Sequence, residues 1–235
     1  MNKKFALVTG ASRGIGLSIS KKLIEDGYFV FGICRNPERS EYTNQNFELI
    51  SADLSKIKEV EMIQNKIPNL KDISLLVNNA GFGYFAPIEE VPIQKISELV
   101  NVNFLTPMVL TKMFMRNLKE NKGQIIFVGS VAGLEVSPWG NVYGAAKSGL
   151  HHFVRQIHAE LRKSEVAVNL IIPEVTKTEF YDNLNFEPDE DEKSFLNPDT
   201  IAEVVVSMVQ FRNRMILREV VVTPEHFKIK RKKKN

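Results

Sequence analysis

Short apolar runs alternate with stretches of helical periodicity along almost the whole chain, and this alternation restricts the fold more than any other feature. Seven runs have the length and composition of buried strands, at residues 4–9, 28–33, 47–50, 73–77, 125–128, 165–172 and 219–223. Between them, apolar residues recur at the spacing of a helix with one buried face. Strands separated by helices predict an α/β fold with a doubly wound parallel sheet of about seven strands and helices on both faces.

The chain has 235 residues, which suits a single domain of this kind, and we place that domain at residues 1–227. A polar, acidic segment at about residues 174–197 interrupts the alternation and is interpreted as a mobile lid, or merely a loop. The tail at residues 228–235 carries six Lys and Arg side chains, and without them the net charge of +3 becomes −3. Because no aromatic residues are interleaved with these cations, we interpret the tail as a flexible, solvated terminus and expect neither nucleic acid nor membrane as a partner.

The cysteine count and the N-terminus favour a cytoplasmic protein. With Cys34 as its single cysteine, the chain forms no internal disulfide and fits a reducing compartment. Only residues 5–8 are continuously apolar near the N-terminus, so no signal peptide is expected. His151, His152 and His158 are interpreted as surface or packing residues, because no second cluster of ligands accompanies them, and no metal site is expected.

Glycines at positions 10, 14 and 16 follow the first predicted strand and precede a predicted helix. A strand, a glycine turn and a helix form the start of a βαβ unit that binds a dinucleotide, because glycines let the backbone approach the pyrophosphate and N–H groups at the helix start receive its charge. The spacing here is G-x-x-x-G-x-G, and such a turn by itself is often only a turn. Together with the alternation, it predicts a Rossmann-type domain.

The residues after the second predicted strand favour NADP(H) over NAD(H). An NAD site usually places an Asp or Glu there to bind the ribose 2′-hydroxyl, but this chain has the neutral Cys34 followed by Arg35. Arg13 lies inside the glycine turn, with Ser12 beside it. Two guanidinium groups suit a 2′-phosphate, although either one would also fit an ordinary charged surface.

Ser130 follows the apolar run at residues 125–128 and so lies at the end of a predicted strand. In α/β proteins, functional residues often lie at such positions. Tyr143 and Lys147 are four positions apart in a predicted helix and therefore share one face. A phenol has a pKa near 10, and bringing it toward 7 takes about 4 kcal/mol, much of which a nearby ammonium in a dry site supplies. The pattern predicts that Tyr143 exchanges a proton with a substrate oxygen to which Ser130 hydrogen-bonds, whereas the Tyr–Lys pair alone would also fit an exposed helix.

Five features of the chain, taken in order, resemble the motifs of the short-chain dehydrogenases/reductases. They are residues 9–16, residues 78–81, Asn103, Ser130 and the pair Tyr143 and Lys147. The resemblance covers residues 3–225, nearly the whole chain, and is to the NADP-dependent carbonyl and 3-oxoacyl reductases. It implies that Tyr143 is the general acid/base, that Ser130 binds the substrate oxygen, and that Lys147 binds the ribose and activates Tyr143. It implies that Asn103 holds a water in a proton relay, and that the protein is a homodimer or homotetramer.

The cofactor-binding residues expected from these arguments are Gly10, Ser12, Arg13, Gly14, Ile15, Gly16, Arg35, Asp53, Leu54, Asn79, Ala80, Gly81, Tyr143, Lys147, Pro173 and Thr178. Asp53 has a second interpretation, as a loop carboxylate that caps the following helix. The family usually has Pro-Gly where this chain has Pro173 and Glu174, which changes the start of the substrate loop. The candidate substrate-pocket walls are mostly apolar or aromatic and suit an apolar ketone or aldehyde: Phe82, Tyr84, Phe85, Leu134, Val136, Trp139, Phe180 and Tyr181.

The sequence therefore predicts a hydride-transferring oxidoreductase that acts on a small-molecule carbonyl or alcohol. Two alternatives stay open at this point. A non-catalytic NADPH-binding regulator would keep the glycine turn but would have no need for Asn103, Ser130, Tyr143 and Lys147 together. An epimerase or dehydratase on the same fold would retain its cofactor without net NADPH consumption.

Overall fold

The computed structural model describes residues 4–232, which form nine strands. Their bounds are β1 (Lys4–Thr9), β2 (Tyr28–Cys34), β3 (Phe47–Ser51), β4 (Ile73–Asn78), β5 (Gln124–Val128), β6 (Ala167–Pro173), β7 (Phe186–Pro188), β8 (Glu219–Val222) and β9 (Ile229–Arg231). Seven of them form one parallel sheet in the order β3-β2-β1-β4-β5-β6-β8. The strand order reverses between β1 and β4, and the crevice at the carboxyl ends of such a pair is where open α/β sheets bind ligands.

The helices cover both faces of this sheet. Their bounds are α1 (Gly14–Glu25), α2 (Ile57–Glu61), α3 (Ile93–Val100), α4 (Thr106–Glu120), α5 (Asn141–Leu161) and α6 (Pro198–Gln210). The apolar faces of α2, α4 and α5 form one core with the sheet, and those of α1 and α6 form a second core on the opposite side. The predicted doubly wound fold is confirmed. No described helix combines the length and hydropathy needed to cross a bilayer.

Burial on both faces explains why the central strands are continuous apolar runs. Every residue of β5 and of β6 is buried, because a helix layer covers each side of the sheet. Polar residues at the carboxyl ends of such strands are therefore held by a rigid, dry framework. That framework positions the site described below.

The apolar stripe at residues 57–70 does not form the single helix that its spacing predicts. The α-helix ends at Glu61 and continues as a 3₁₀-helix over Met62–Lys66, after which Ile67 is extended. Ile67 precedes Pro68, and the proline ring disfavours helical backbone at the preceding residue. The apolar side chains of this stripe, including Val60, Ile63 and Ile67, are still buried in the core.

The apolar spacing after Pro92 predicts one long helix, and this helix is present but interrupted by one wider turn. A π-helical turn at Asn101–Leu105 joins α3 to α4. Such turns place an extra residue in the helix and often occur at functional sites. This one contains Asn103, whose side chain it turns into the interior.

The acidic segment, interpreted from the sequence as a lid or loop, and the basic tail, interpreted as a solvated terminus, pair with each other. The strand β7 lies in the acidic segment and pairs antiparallel with β9 of the tail, with Phe186 opposite Arg231 and Pro188 opposite Ile229. The physical reason is charge complementarity, because the lysines of the tail reach the carboxylates of the segment. Residues 233–235 of the tail lie outside the described residues.

Candidate active site

The glycine turn between β1 and α1 has the backbone that the sequence predicts. Gly10 and Gly14 have positive φ angles of 68° and 53°, a region that L side chains rarely adopt. A Cβ on Gly16 would lie 2.2 Å from the carbonyl oxygen of Gly10, so the turn closes only with glycine there. The helix α1 has no side-chain cap and no acidic residue in its first turn. Its first N–H groups are therefore available to an anion such as a pyrophosphate.

A threonine and an asparagine connect this turn to the end of β4. The Thr9 hydroxyl oxygen accepts hydrogen bonds from the N–H groups of Asn79 at 2.9 Å and of Ala80 at 3.0 Å. The Asn79 side-chain amide donates to the Thr9 carbonyl oxygen at 2.8 Å. These bonds bring residues 79–81 beside the glycine turn, in the crevice where the strand order reverses.

A cavity of about 340 Å³ lies between the start of α1 and the segment after β6. Gly14 and Ser18 line one side, and Lys177 and Thr178 line the other. The Cγ2 atom of Thr178 lies 3.3 Å from the place that a Cβ on Gly14 would take. The uncapped helix start is the part of this cavity that fits the pyrophosphate of a dinucleotide, whereas the carboxylates of Glu179 and Asp182 also line it. Pro173, the last residue of β6, lies on the same edge of the sheet.

At the other end of the crevice, the residue that closes β2 is neutral. Cys34 is buried, which raises the pKa of its thiol, while a hydrogen bond with Ser12 acts in the opposite direction. Arg13 and Arg35 are exposed next to the carboxyl ends of β1 and β2. Two guanidinium groups and no carboxylate at the end of β2 fit a ribose 2′-phosphate.

The side chain of Asp53 is engaged in a turn before α2. Its Oδ1 atom accepts hydrogen bonds from the backbone N–H of Ser55 at 3.0 Å and from the Ser55 hydroxyl at 2.8 Å. Desolvation by partial burial raises the pKa of Asp53, but these bonds and the charges of Lys56 and Arg35 outweigh it, so the pKa is lowered. Asp53 is therefore a loop carboxylate, but it does not cap the following helix, because α2 begins at Ile57 without a side-chain cap. The neighbouring Leu54 is buried.

Ser130 and Tyr143 meet at the carboxyl end of β5. The Ser130 oxygen accepts a hydrogen bond from the N–H of Ala132 at 3.2 Å, which fixes its side chain at the start of a short turn. Tyr143, in the first turn of α5, is only 6% exposed. Burial raises the pKa of Tyr143 to about 12, while a hydrogen bond with the Ser130 side chain acts in the opposite direction.

Lys147 lies one helical turn after Tyr143 and is buried. Its Nζ atom donates a hydrogen bond to the Val128 carbonyl oxygen at 3.0 Å and lies 5.9 Å from the centre of the Tyr143 ring. Burial lowers the pKa of Lys147 to about 8. The sequence argument expected Lys147 to bring the pKa of Tyr143 toward 7. In this structure desolvation acts on both groups and dominates, so that the phenol holds its proton more tightly than a free one.

Asn103 is fully buried and points toward Lys147. Its amide nitrogen donates to the carbonyl oxygens of Phe82 and Leu99, both at 3.0 Å. A Cβ on Gly81 would lie 2.8 Å from the Asn103 Oδ1 atom and 3.4 Å from the Lys147 Nζ atom. The Oδ1 atom has no hydrogen-bond partner among the described residues. An acceptor and an ammonium thus face the same glycine, which is the arrangement that a bridging water requires.

His151, which the sequence analysis interpreted only as a surface or packing residue, is also part of this site. It is buried one turn after Lys147, and its Nε2 atom accepts a hydrogen bond from the Ser130 backbone N–H at 3.4 Å. Desolvation and the charges of Lys147 and Arg155 lower the pKa of His151 to about 4. The spacing of four from Lys147 was the available signal, because it puts both side chains on one helix face. Among the described residues no group of three or more His, Cys, Asp or Glu side chains has metal-binding geometry.

Aromatic rings enclose Tyr143 on the side of the acidic segment. The rings of Phe85 and Phe180 lie with their centres 5.7 and 5.8 Å from that of Tyr143. Phe186, which the sequence argument omitted, packs against Phe85 at 5.0 Å and Tyr181 at 5.8 Å. The other predicted wall residues are less enclosed: Leu134, Val136 and Trp139 are exposed, and Phe82 and Tyr84 are half-buried.

The residue after β6 is a half-buried carboxylate. The Glu174 backbone N–H donates to the Val222 carbonyl oxygen at 3.0 Å, so the chain continues in register with β8. Burial and the charge of Glu135 raise the pKa of the Glu174 carboxyl. The replacement of the usual glycine therefore adds an acid beside the loop that follows Ser130.

Comparisons with known proteins point to one family. The short chain dehydrogenase family model matches residues 4–189. An uncharacterized oxidoreductase of Staphylococcus epidermidis is 29% identical over 230 residues, which cover 95% of this chain and 98% of that protein. A probable NADP-dependent dehydrogenase of Haemophilus influenzae is 29% identical over 238 residues, covering 95% and 94%. Among solved structures, the alcohol dehydrogenase of the archaeon Thermococcus sibiricus, complexed with 5-hydroxy-NADP, is 27% identical with a TM-score of 0.83, covering 95% and 97%.

Proposed function

This chain belongs to the short-chain dehydrogenase family of oxidoreductases, and we propose that it is an NADPH-dependent reductase that converts a carbonyl compound into an alcohol. The observation that carries the proposal is the meeting of Ser130, Tyr143 and Lys147 at the carboxyl end of β5, across the crevice from the glycine turn. A proton donor, an oxygen ligand and a cation in a dry site are the groups that carbonyl reduction requires.

In the proposed reaction each residue has a separate task. Ser130 donates a hydrogen bond to the carbonyl oxygen and holds it near the Tyr143 hydroxyl. When bound, NADPH supplies the hydride that the carbonyl carbon takes up. Tyr143 gives its proton to the developing alkoxide oxygen, so an alcohol leaves and a phenolate remains. Lys147 stabilises this phenolate electrostatically, and Asn103 holds a water through which Tyr143 regains its proton.

The preference for NADPH is supported by the charges around the end of β2. Arg13 and Arg35 supply two guanidinium groups, and Cys34 stands where a carboxylate would repel a 2′-phosphate. The described relatives include a probable NADP-dependent dehydrogenase and an alcohol dehydrogenase solved with an NADP derivative. The aromatic rings around Tyr143 support an apolar ketone or aldehyde as the substrate.

The test is NADPH consumption, followed by absorbance, with a panel of apolar ketones, aldehydes, quinones and 3-oxoacyl thioesters. We expect substrate-dependent oxidation that is faster with NADPH than with NADH. Replacing Tyr143 by Phe should lower kcat/KM by about 100-fold or more, because general acid catalysis is lost. Tyr42→Phe is the matched control, since Tyr42 packs against Phe47 away from the site.

Three results would contradict the proposal. Turnover by Tyr143→Phe at the wild-type rate would show that Tyr143 is not the general acid. Tight NADPH binding without oxidation by any carbonyl would favour a regulator, and product formation without net NADPH consumption would favour an epimerase or dehydratase.

A further inference from the structure

The acidic segment and the basic tail, which show no relation in the sequence, contact each other over residues 181–193 of the segment. We call the segment at residues 174–197 the lid and residues 225–232 the strap. In addition to the β7–β9 pairing, the backbone N–H of His226 donates to the Lys193 carbonyl oxygen at 2.9 Å, and that of Lys232 donates to Asn185 at 2.9 Å. The strap therefore follows the lid from residue 193 back to residue 185.

Alternate lysines of the strap face the carboxylates of the lid. The Lys228 Nζ atom lies 2.9 Å from Oδ2 of Asp191, and the Lys230 Nζ atom lies 2.8 Å from Glu190 and 3.5 Å from Glu187. The hydrogen bond from Lys228 is the main cause that lowers the pKa of Asp191 to about 2. In a strand, alternate side chains point to one face, so the spacing of these lysines matches the pairing.

A third lysine reaches the part of the lid closest to the site. The Lys232 ammonium donates hydrogen bonds to the carbonyl oxygens of Tyr181 at 2.5 Å and Asp182 at 3.1 Å. These carbonyls end the short helical turn Glu179–Tyr181. The cation thus fixes the carboxyl end of the turn that carries Phe180 and Tyr181.

The same turn forms the wall around Tyr143. Phe180 packs against Tyr143, and Tyr181 packs against both Phe180 and Phe186 with ring centres 5.2 and 5.8 Å apart. A Cβ on Gly83 would lie 2.6 Å from the Phe180 ring, so this ring is also seated against the loop after β4. An unbroken series of contacts runs from the strap through the lid to the proposed acid.

We propose that the strap is a positioning element of the active site, which holds the lid so that Phe180, Tyr181 and Phe186 form an ordered substrate wall over Tyr143. The strap lysines do not touch the reacting atoms. They lower the free energy of the arrangement in which the wall is complete, so substrate binds without first ordering the lid. This inference rests on the proposed function for its kinetic prediction, but the contact itself is testable without turnover.

The test reverses one charge in the full-length protein. Lys230→Glu places a carboxylate against Glu187 and Glu190 and should loosen the lid. If the ordered lid falls to between about a tenth and a third of the population, KM for the carbonyl substrate rises about three- to tenfold, with kcat within about twofold of wild type. The triple variant Lys230→Glu, Glu187→Lys, Glu190→Lys restores opposite charges and should restore KM.

A matched control and a second measurement test the contact between strap and lid independently of catalysis. Lys122→Glu breaks an exposed ion pair with Glu165, 3.0 Å long and far from the lid, and should leave KM unchanged. Limited digestion with chymotrypsin, which cuts after aromatic residues, should cleave the lid of Lys230→Glu faster than that of wild type or of the triple variant. This digestion tests whether the strap holds the lid even where no substrate has been found. The Tyr143→Phe variant tests the proposed function separately.

Several outcomes would overturn the proposal. Lys230→Glu with wild-type KM and wild-type cleavage would show that the strap does not hold the lid. A raised KM or faster cleavage that the triple variant fails to reverse would mean that the ion pairs are not the cause. A loss confined to kcat would place the effect on the reaction rather than on the substrate wall.

Discussion

At the scale of single residues, the burial of Lys147 should make cofactor binding depend on pH. Its pKa is lowered to about 8, so the ammonium loses its proton as the pH rises through that value. Since Lys147 is the expected ribose ligand, the dissociation constant of NADPH should rise about tenfold between pH 7 and pH 10, as a charged hydrogen bond is lost. Fluorescence titration of NADPH against pH measures this change.

The variant Lys147→Met separates this effect from other titrations. It should bind NADPH weakly at pH 7, and its affinity should converge with that of wild type at pH 10. A wild-type dissociation constant that is flat across this range, or a variant with the same pH dependence as wild type, would contradict the assignment to Lys147.

His151 should make the fold sensitive to acid. Its pKa is about 4 in the folded protein, against 6.5 ordinarily, so the unfolded chain binds the proton more readily. The stabilisation is therefore complete above pH 6.5 and is lost as the pH falls toward 4, by about 2 kcal/mol at pH 5. His151→Gln keeps an acceptor for the Ser130 N–H but does not titrate, so its free energy of unfolding should lose about 2 kcal/mol less between pH 7.5 and pH 5.

Urea unfolding at the two pH values measures this difference. His152→Gln is the control, because His152 is exposed on the same helix and its ring contacts the exposed Gln156 side chain. Equal acid sensitivity of His151→Gln and wild type would mean that the buried imidazole is not the group responsible.

At the scale of elements, the glycine turn is stable only if Gly16 lies close to Gly10 and Asn79. A Cβ on Gly16 would meet the Gly10 carbonyl oxygen at 2.2 Å and the Asn79 amide at 2.5 Å. Gly16→Ala should therefore lower the free energy of unfolding by about 1–3 kcal/mol, as overpacking does, and should weaken NADPH binding. Gly149→Ala in α5 is the control, because its nearest neighbour is the Phe104 ring at 3.3 Å, which can move. Equal stability of the two variants would contradict the tight approach.

The elements that could be predicted from the sequence are those whose signal is local. The central strands of the main sheet are continuous apolar runs, because helices cover both faces there, and all seven strands were found within about two residues of their predicted bounds. The broken helix at residues 57–70 was less predictable, since its apolar spacing persists although the α-helix ends at Glu61 and the 3₁₀-helix that follows ends at Lys66, just before Ile67 and Pro68. The β7–β9 pair was not predictable at all, because its two halves are far apart in sequence and each alone reads as a charged loop.

In the candidate site, too, the residues with a local sequence signal could be predicted, and the properties that depend on tertiary packing could not. Gly10, Ser130, Tyr143 and Lys147 stand at strand ends and helix spacings that the sequence displays, and the structure brings the last three together. The spacing of four from Lys147 indicates which helix face His151 shares, but its complete burial depends on how α5 lies over β5. The raised pKa of Tyr143 likewise follows from desolvation by burial, which is a tertiary effect because the rings that pack on Tyr143, Phe85 and Phe180, are far apart in sequence.

At the scale of the whole molecule, cofactor binding and folding are linked, and the link tests cofactor choice without a substrate. A ligand that binds only the folded state at 100 times its dissociation constant adds about 2.7 kcal/mol to the free energy of unfolding. For a domain of this size that amounts to a rise in Tm of about 5–10 °C. We expect NADPH to produce this rise in a thermal scan, and NADH at the same concentration to produce about half of it or less, since it lacks the 2′-phosphate.

The two arginines provide the decisive variant for this prediction. Arg35→Glu should remove most of the rise produced by NADPH, because a carboxylate beside the end of β2 repels the 2′-phosphate and accepts a hydrogen bond from a ribose hydroxyl instead. The rise produced by NADH should persist or increase. Arg162→Glu, an exposed change at the end of α5, should behave as wild type with both cofactors. Equal shifts of Tm for NADPH and NADH in the wild-type protein would mean that Arg13 and Arg35 are ordinary surface charges and that the enzyme does not select the phosphorylated cofactor.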